Sequence, residues 1–507
     1  MTEYPLITLH NGACVEVNSI PSLSISAFRA AIIESVESGS RIVSFFAAPQ
    51  SAETFRLFCI LADEDAGQLL ASSAEVRDSY PSLTPDCPQA QLFEREMAEK
   101  WGIRPVGHPW LKPVRFEDTA RRGPSLWNNT GDINTLPSSM DFFQVEGEEV
   151  HEVAVGPVHA GIIEPGHFRF QCHGESVFHL EISLGYQHRG IEKALLAGPQ
   201  KRTIHYMETA AGDTTIGHTT AYCQVLEALS RCQVSFRAHG IRAIALELER
   251  MANHAGDLGA LAGDVGYLPT ASFCGRIRGD YLNMTAMLCG NRFGRGLVRP
   301  GGVGYDLTPE IAEQLRKRLH TIMKDTAVAV NLLWRSPSVL SRFEETGKIS
   351  TELASKLGLV GVAARACGIE RDCRYNFPAG MYCVNQIPVS TYETGDVFAR
   401  AFVRWLEIQK SAAFIDNQLN LLPPGPIQME LHSLAPSCLA ISMTEGWRGE
   451  ICHVAITGTD GKFSVYKMVD PSFHNWMGLS LTMRNQQISD FPLCNKSFNL
   501  SYCGHDL

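Results

Sequence analysis

The chain has 507 residues, 45% of them hydrophobic and 19% charged, which suits a soluble globular protein with enough apolar material for roughly two to four domains. Its 44 basic and 54 acidic residues leave a net charge of −10, and no Lys/Arg-rich block is long enough to track a phosphate backbone, so nucleic acid is not an expected partner. No apolar run approaches the ~18 residues of a membrane span, and "MTEYPLITLHNG" lacks the basic-then-apolar order of a signal peptide. The expectation is a cytoplasmic chain that reaches a membrane only through partners.

The first segment reads as a small α/β unit. "LITLHNGACVEV" places two short apolar runs around Asn11-Gly12, both tolerant of positive φ, and predicts a hairpin. Phe28, Ile32, Ile33 and Val36 recur at helical spacing behind a cap at Ser24 or Ser26, "RIVSFFAA" and "FRLFCIL" read as strands, and "AQLFEREMAEKWGI" predicts a helix ended by Gly102 and Pro105. Between about Val114 and Glu149 the pattern dissolves into Gly, Pro, Ser and Asn, a linker or covering arm. The division that follows is a small domain over 1–117, an arm over 118–150 and a large domain over 151–507.

Long helices dominate the large domain. Ile241, Ile244, Ala245, Leu248, Met251 and Ala252 form one stripe, with Arg242, Glu247, Glu249 and Arg250 mostly off it. A second helix starts at Thr308 as cap with Pro309 in its first turn, and a third carries Phe398, Phe402, Trp405 and Leu406 behind Asp396. "CHVAITGTDGKFSVYKMV" alternates around Asp460-Gly461 and predicts a hairpin. The fold class is therefore α+β: a small N-terminal α/β domain, then a mainly α-helical domain with small β appendages. Fifteen cysteines are scattered with no Cys-x-x-Cys pair, which argues against disulfide frameworks and metal cradles and for reduced, buried thiols.

In order along the chain, "EPGHFRFQCHGESVFHLEISLGYQHRGIEKAL", "GHTTAY", "ELERMANHAGDLGALAGDVGYLP", "CGNRFGRGLVRPGGV" and "VDPSFHNW" resemble the large subunit of energy-converting (group 4, formate-hydrogenlyase and hydrogenase-4 type) nickel–iron hydrogenases. They resemble, more remotely, the 49 kDa quinone-site subunit of respiratory complex I. "EREMAEKWGIRPVGHPWLKPVRF" is similar to the signature segment of complex I's 30 kDa subunit. The resemblance covers nearly the whole chain and implies two fused units.

It also implies four nickel-ligating thiolates in two Cys-x-x-Cys pairs. Aligned on "GHTTAY", the first pair falls on Ala211 and Thr214, and the second, just after Asp470-Pro471, on Ser472 and Asn475. A methyl group, hydroxyls and an amide are hard or absent donors where bridging soft sulfur is required. Cys223 and Cys232 lie downstream, with no register slip that recruits them. No nickel–iron centre is expected, nor cleavage of the tail beyond Asp470 that metal insertion would trigger.

The resemblance further assigns Glu164 to the family's proton-relay carboxylate, with a turn-anchoring role as the alternative, and His167 to the histidine at complex I's quinone headgroup, with a structural role as the alternative. The tyrosine complex I pairs with that histidine aligns with Gly212. Arg189 and Glu192 of "HRGIEK" are assigned to a buried ion pair or to an interface. "GNRFGRG" and "PGGVG" match neither a phosphate loop nor a dinucleotide fingerprint.

The expected function is thus the large subunit of a membrane-attached, complex-I-like oxidoreductase. It would bind no cofactor of its own save a possible quinone, dock a small iron–sulfur subunit that holds a [4Fe–4S] cluster, and assemble with a ferredoxin-like subunit and antiporter-like membrane subunits. It would sit peripherally on the cytoplasmic face of the inner membrane. Glu164, His167 and His218 are the candidate residues lining its vacated site. The alternatives are a non-catalytic scaffold and an active hydrogenase or formate hydrogenlyase.

Overall fold

The computed structural model describes residues 4–120, 140–161 and 163–507. Most of the arm predicted over 118–150 lies outside the described residues. In the N-terminal part, β1 (Ile7–Leu9), β2 (Cys14–Glu16), helix α1 (Ile25–Glu37), β3 (Arg41–Pro49), β4 (Phe55–Asp63), β5 (Gln68–Val76) and helix α2 (Gln91–Trp101) follow in order. Ser24 Oγ accepts from the amide of Ala27 and caps α1, while Gly102, at φ 66°, ends α2 in the left-handed conformation that glycine adopts without penalty.

The predicted hairpin around Asn11-Gly12 does not form. β1 pairs antiparallel with β5, in a sheet ordered β1-β5-β4-β3, whereas β2 leaves that sheet to pair with β9 (Cys438–Glu445) far along the chain. The Asn11 side chain explains the divergence: its amide nitrogen donates to the carbonyls of Phe377 and Met443 and its oxygen accepts from the Met443 amide, so the turn is spent on distant backbone.

In the large part, strands β6 (Val150–Val155), β7 (His167–His173) and β8 (Ser176–Ser183) form an antiparallel sheet ordered β8-β7-β6. Five long helices follow: α3 (Thr215–Ser230), α4 (Phe236–Asp264), α5 (Leu268–Cys289), α6 (Pro309–Trp334) and α7 (Val397–Leu421). Thr308 and Asp396 cap α6 and α7 through their side chains, as the sequence predicts. α3 is buried nearly all round, which marks a central helix rather than a surface one.

The C-terminal strands β9, β10 (Glu450–Thr457) and β11 (Phe463–Val469) are followed by α8 (Pro471–Thr482) and the short α9 (Tyr502–Asp506). The hairpin at Asp460-Gly461 joins β10 to β11, and the sheet order is β11-β10-β9-β2. This sheet is no appendage: every residue of β9 and β10 is buried. It is a partition with two apolar faces, set by the period-2 alternation of strand side chains. Leu439, Ile441, Met443, Cys452, Val454 and Ile456 belong to the core of the N-terminal sheet. Ala440, Ala455, Tyr466 and Met468 belong to the helical core instead. The small Ala440 and Ala455 let α3 lie close on this second face.

All fifteen cysteines are free thiols, as expected from their spacing. Among the described residues no helix is long and apolar enough to cross a membrane.

Candidate functional site

Two loop–helix junctions meet beside the partition sheet, joined by the His218–Asp470 contact: the segment leading into α3, with Ala211 and Thr214, and the start of α8, with Ser472 and Asn475. The first is fixed through Asp213. Arg448 donates to both carboxylate oxygens at 2.6 and 2.8 Å, while Trp447 Nε1 and Asn253 Nδ2 donate to its carbonyl at 3.1 and 3.0 Å. Burial opposes ionisation of Asp213, but the Arg448 guanidinium outweighs it and holds the carboxyl below its ordinary value. Glu249, reaching across from α4, accepts from the amides of Ile216 and Gly217 at 2.7 and 3.2 Å, and so satisfies orphan donors in the first turn of α3. Burial pushes its carboxyl up to about 8.

The second junction is set by Asp470, whose side chain caps α8 by accepting from the Ser472 amide at 2.8 Å, with Pro471 in the first turn. Its other oxygen lies 3.1 Å from His218 Nε2 on α3, which ties the two junctions together. Burial pushes Asp470 up, yet the hydrogen bond from His218 prevails and keeps it ionised. Helix α9 closes over this point, and Gly504 within it allows the close approach: a Cβ would stand 2.7 Å from the Asp470 carboxyl.

At the four aligned ligand positions the donors are absent or already engaged. Ala211 is fully buried and offers a methyl group. Thr214 Oγ1 bonds Asp213 at 3.1 Å. Ser472 Oγ accepts from the Ser501 amide at 2.8 Å, and the Asn475 side chain both accepts from and donates to the backbone of Val360, at 3.0 and 3.1 Å. This donor set does not fit a bridging dinuclear centre, which needs soft thiolates. Among the described residues no group of three or more His, Cys, Asp or Glu is placed to hold a metal ion.

The other predicted residues are distributed unevenly. Glu164 accepts from the Tyr502 amide at 3.1 Å, at the head of α9. The carbonyl of Cys503 and those of Thr209 and Ala210 all accept from the Arg189 guanidinium, which ties α9 to the first loop. His167 opens β7, and its partners are the Gly156 carbonyl, Arg169 and the ring of Phe142. His218, by contrast, lies at the centre. Arg189 and Glu192 do not pair with each other. Glu192 is bound by Lys100 at 2.8 Å, Lys467 at 3.3 Å and the Met468 amide at 3.0 Å, inside the chain and across the seam between α2 and β11. Burial raises Glu192, and Lys100 and Lys467 more than reverse it.

Sequence reasoning missed Asp470, Asp213, Arg448, His453 and Tyr466. The Asp-Pro pair at a helix start signalled the cap at Asp470 but not its histidine partner. The alternation of β10 and β11 put His453 and Tyr466 on one face, without saying that His218 lay beneath it.

The family description "Respiratory-chain NADH dehydrogenase, 49 Kd subunit" matches residues 264–438, and "Respiratory-chain NADH dehydrogenase, 30 Kd subunit" matches residues 31–125. The chain is 29% identical to formate hydrogenlyase subunit 5 of Escherichia coli (strain K12) over 435 residues, 84% of this chain and 76% of that protein. It is 30% identical to the carbon monoxide-induced hydrogenase of Rhodospirillum rubrum over 353 residues, 69% of this chain and 97% of that one. It is also 27% identical over 454 residues to an NADH-quinone oxidoreductase subunit of Bacteroides thetaiotaomicron, covering 83% of this chain and 82% of the relative. With its two junctions, partition sheet and N-terminal unit in one polypeptide, the chain belongs to the family of complex I 49 kDa and hydrogenase large subunits, in the form fused to a 30 kDa-type unit.

Proposed function

We propose that this chain is the large subunit of a membrane-attached, complex-I-like oxidoreductase that works without a nickel–iron centre. In this reading it docks a small iron–sulfur subunit near the two junctions, and electrons from that subunit's [4Fe–4S] cluster reduce an acceptor, a quinone in the simplest case, at the vacated site. A ferredoxin-like subunit and antiporter-like membrane subunits complete the assembly, and ion transport is coupled to the electron transfer. Glu164 and His218 serve as proton-handling groups there, and His167 as a donor to the acceptor's carbonyl.

One observation carries the metal-free reading: at all four aligned positions the side chain either lacks a donor or spends it on neighbouring protein groups. Elemental analysis of the purified complex tests it, with well under one nickel per chain expected; one equivalent together with hydrogen-dependent dye reduction overturns it. For the redox role, Glu164→Ala and His167→Ala are expected to abolish electron transfer while the complex stays assembled. The scaffold alternative draws on the hydrogen bond from Tyr502 to Glu164, a structural use of that carboxylate. Activity that survives both substitutions would select the scaffold.

A further inference from the structure

A cavity of about 60 Å³ lies where the N-terminal unit meets the large one, and neither His218, Asp470 nor any of the four aligned ligand positions lines it. Leu92 and Arg95 enter it from one face of α2, Trp110 and Phe116 from the loop that follows, Ile182 from β8 and Trp476 from α8. Its walls are mostly aromatic and aliphatic.

One wall is made by Met140 and Phe142, and an ion pair holds it in place. Lys112 Nζ donates to the Asp141 carbonyl and to Glu181 Oε1, both at 2.6 Å, and the other oxygen of Glu181 accepts from the Phe143 amide at 2.8 Å. Both charges are spent on that wall.

Arg95 is the charge left over. Its Nε donates to the Lys112 carbonyl and its Nη2 to the Pro113 carbonyl, each at 2.8 Å, while Nη1 has no acceptor among the described residues and remains accessible. Neither nearby carboxylate pairs with it. Glu181 is taken by Lys112, and Glu99, one turn along α2, accepts from the amides of Val114 and Arg115 at 3.1 and 2.9 Å. Burial pulls the Arg95 guanidinium down to about 10 against the opposing effect of Glu99 and Glu181, so at neutral pH it is a cation that the fold desolvates without neutralising. His505, also in the wall, adds no charge, because burial holds it below its ordinary value. The lining therefore sets two cations, Arg95 and Lys112, against one carboxylate, Glu181.

A desolvated, unpaired cation beside apolar walls suits an anion that also carries an apolar group. Size narrows the class: at roughly 10–15 Å³ for each water-sized position, the 60 Å³ cavity takes about four to six. A carboxylate uses part of that space and leaves room for a short hydrocarbon tail. A strongly hydrated dianion would exceed the single unmatched charge and gain nothing from the walls.

We propose that this cavity binds a short-chain monocarboxylate, whose carboxylate accepts from Arg95 Nη1 while its tail packs among Trp110, Phe142 and Trp476. Since α2, β8 and α8 each supply part of the wall, the bound anion ties the N-terminal unit to the large one. The site does not depend on whether an acceptor is reduced at the two junctions.

Butyrate is the probe. Two tryptophans, Trp110 and Trp476, line the cavity, so the fluorescence of the purified full chain is expected to change saturably with butyrate, and equilibrium dialysis to count one site per chain. n-Butanol, which has the tail without the charge, and sulfate, which has charge without a tail, are each expected to compete about 10-fold more weakly or worse. Arg95→Met is expected to weaken butyrate binding by about 10-fold or more. Arg95→Lys gives up the same fork of carbonyl bonds but keeps the charge, so binding is expected to persist in it, which separates loss of the cation from loss of the fold. Absence of saturable binding overturns the proposal. So does displacement by n-butanol at the same concentration as butyrate, which marks a merely apolar cavity, or equal displacement by sulfate, which marks a general effect of anions. Unchanged affinity in Arg95→Met, or equal loss in Arg95→Lys and Arg95→Met, overturns it as well.

Discussion

The two loop–helix junctions and the charge cluster around Glu407 lie in the same helical core and handle buried polarity in opposite ways. At the junctions Ser472 and Asn475 are neutral and bonded to backbone, and charge enters only beside them, through Asp213–Arg448 and Asp470–His218. Around Glu407 ion pairs dominate: Arg250 donates to it and Arg365 lies 2.7 Å away, while His254, 3.0 Å away, is lowered to about 4 by burial and bonds it as a neutral imidazole. Arg365 also contacts Glu445 at 2.8 Å, and Arg374 bridges Asp372 and Glu247 at 2.6 and 2.9 Å. Burial opposes ionisation of Glu407, but Arg365 and Arg250 overcome it and hold the carboxyl well below its ordinary value. The comparison teaches that small neutral side chains bonded to backbone hold a segment without a network, whereas a buried ionic cluster keeps its shape only while every member is present.

The sharpest way to break the comparison is at Glu407. Glu407→Ala leaves Arg250 and Arg365 buried without a principal counter-charge, and the expected cost is about 3–5 kcal/mol, read as a lower urea midpoint with unchanged m-value. A loss below about 1 kcal/mol would mean that Glu445, Asp372 and Glu247 suffice as counter-ions, and that the cluster is as local as the junctions.

Next in size is Asn475→Ala. It strands the amide and carbonyl of Val360, both buried, and the expected loss is about 1–3 kcal/mol. Asn475→Cys should cost a similar amount, because a thiol reproduces neither bond at comparable strength. A stability unchanged in both variants would show that position 475 is free to accept a ligand and would remove the physical objection to a metal at the second junction.

How much of this was legible beforehand depends on the range of the cause. The caps at Ser24, Thr308 and Asp396, the stop at Gly102 and the turn at Asp460-Gly461 are decided by neighbours a few residues away, and the sequence predicts each of them. Asn11-Gly12 carried the same local signal as Asp460-Gly461 and yet forms no hairpin, because its competing partners are the backbones of Phe377 and Met443, reachable only once the chain has folded. The candidate site divides likewise. Motif order brought His218 and the junction residues Ala211, Thr214, Ser472 and Asn475 to notice, while Asp213–Arg448, Asp470–His218 and His453–Tyr466 are contacts between elements, and no spacing in one segment encodes a partner in another.

A pH-dependent effect probes how the first junction is held. Glu249 is buried with a pKa raised from 4.5 to about 8, so between those values the folded chain keeps a proton that the unfolded chain has lost. The folded state then binds more protons, and stability falls as pH rises through that window, by at most about 1.4 kcal/mol per pH unit, with the full contribution present below pH 4.5. Glu249→Gln keeps one oxygen to accept from one of the two amides, loses the bond to the other at a cost that does not depend on pH, and removes the titration, so the difference in unfolding free energy between variant and parent should change from pH 4.5 to about 8 and level off above it. A difference that does not vary with pH would mean that Glu249 is ionised in the fold. The first turn of α3 would then be held by an ionised carboxylate, as the first turn of α8 is by Asp470.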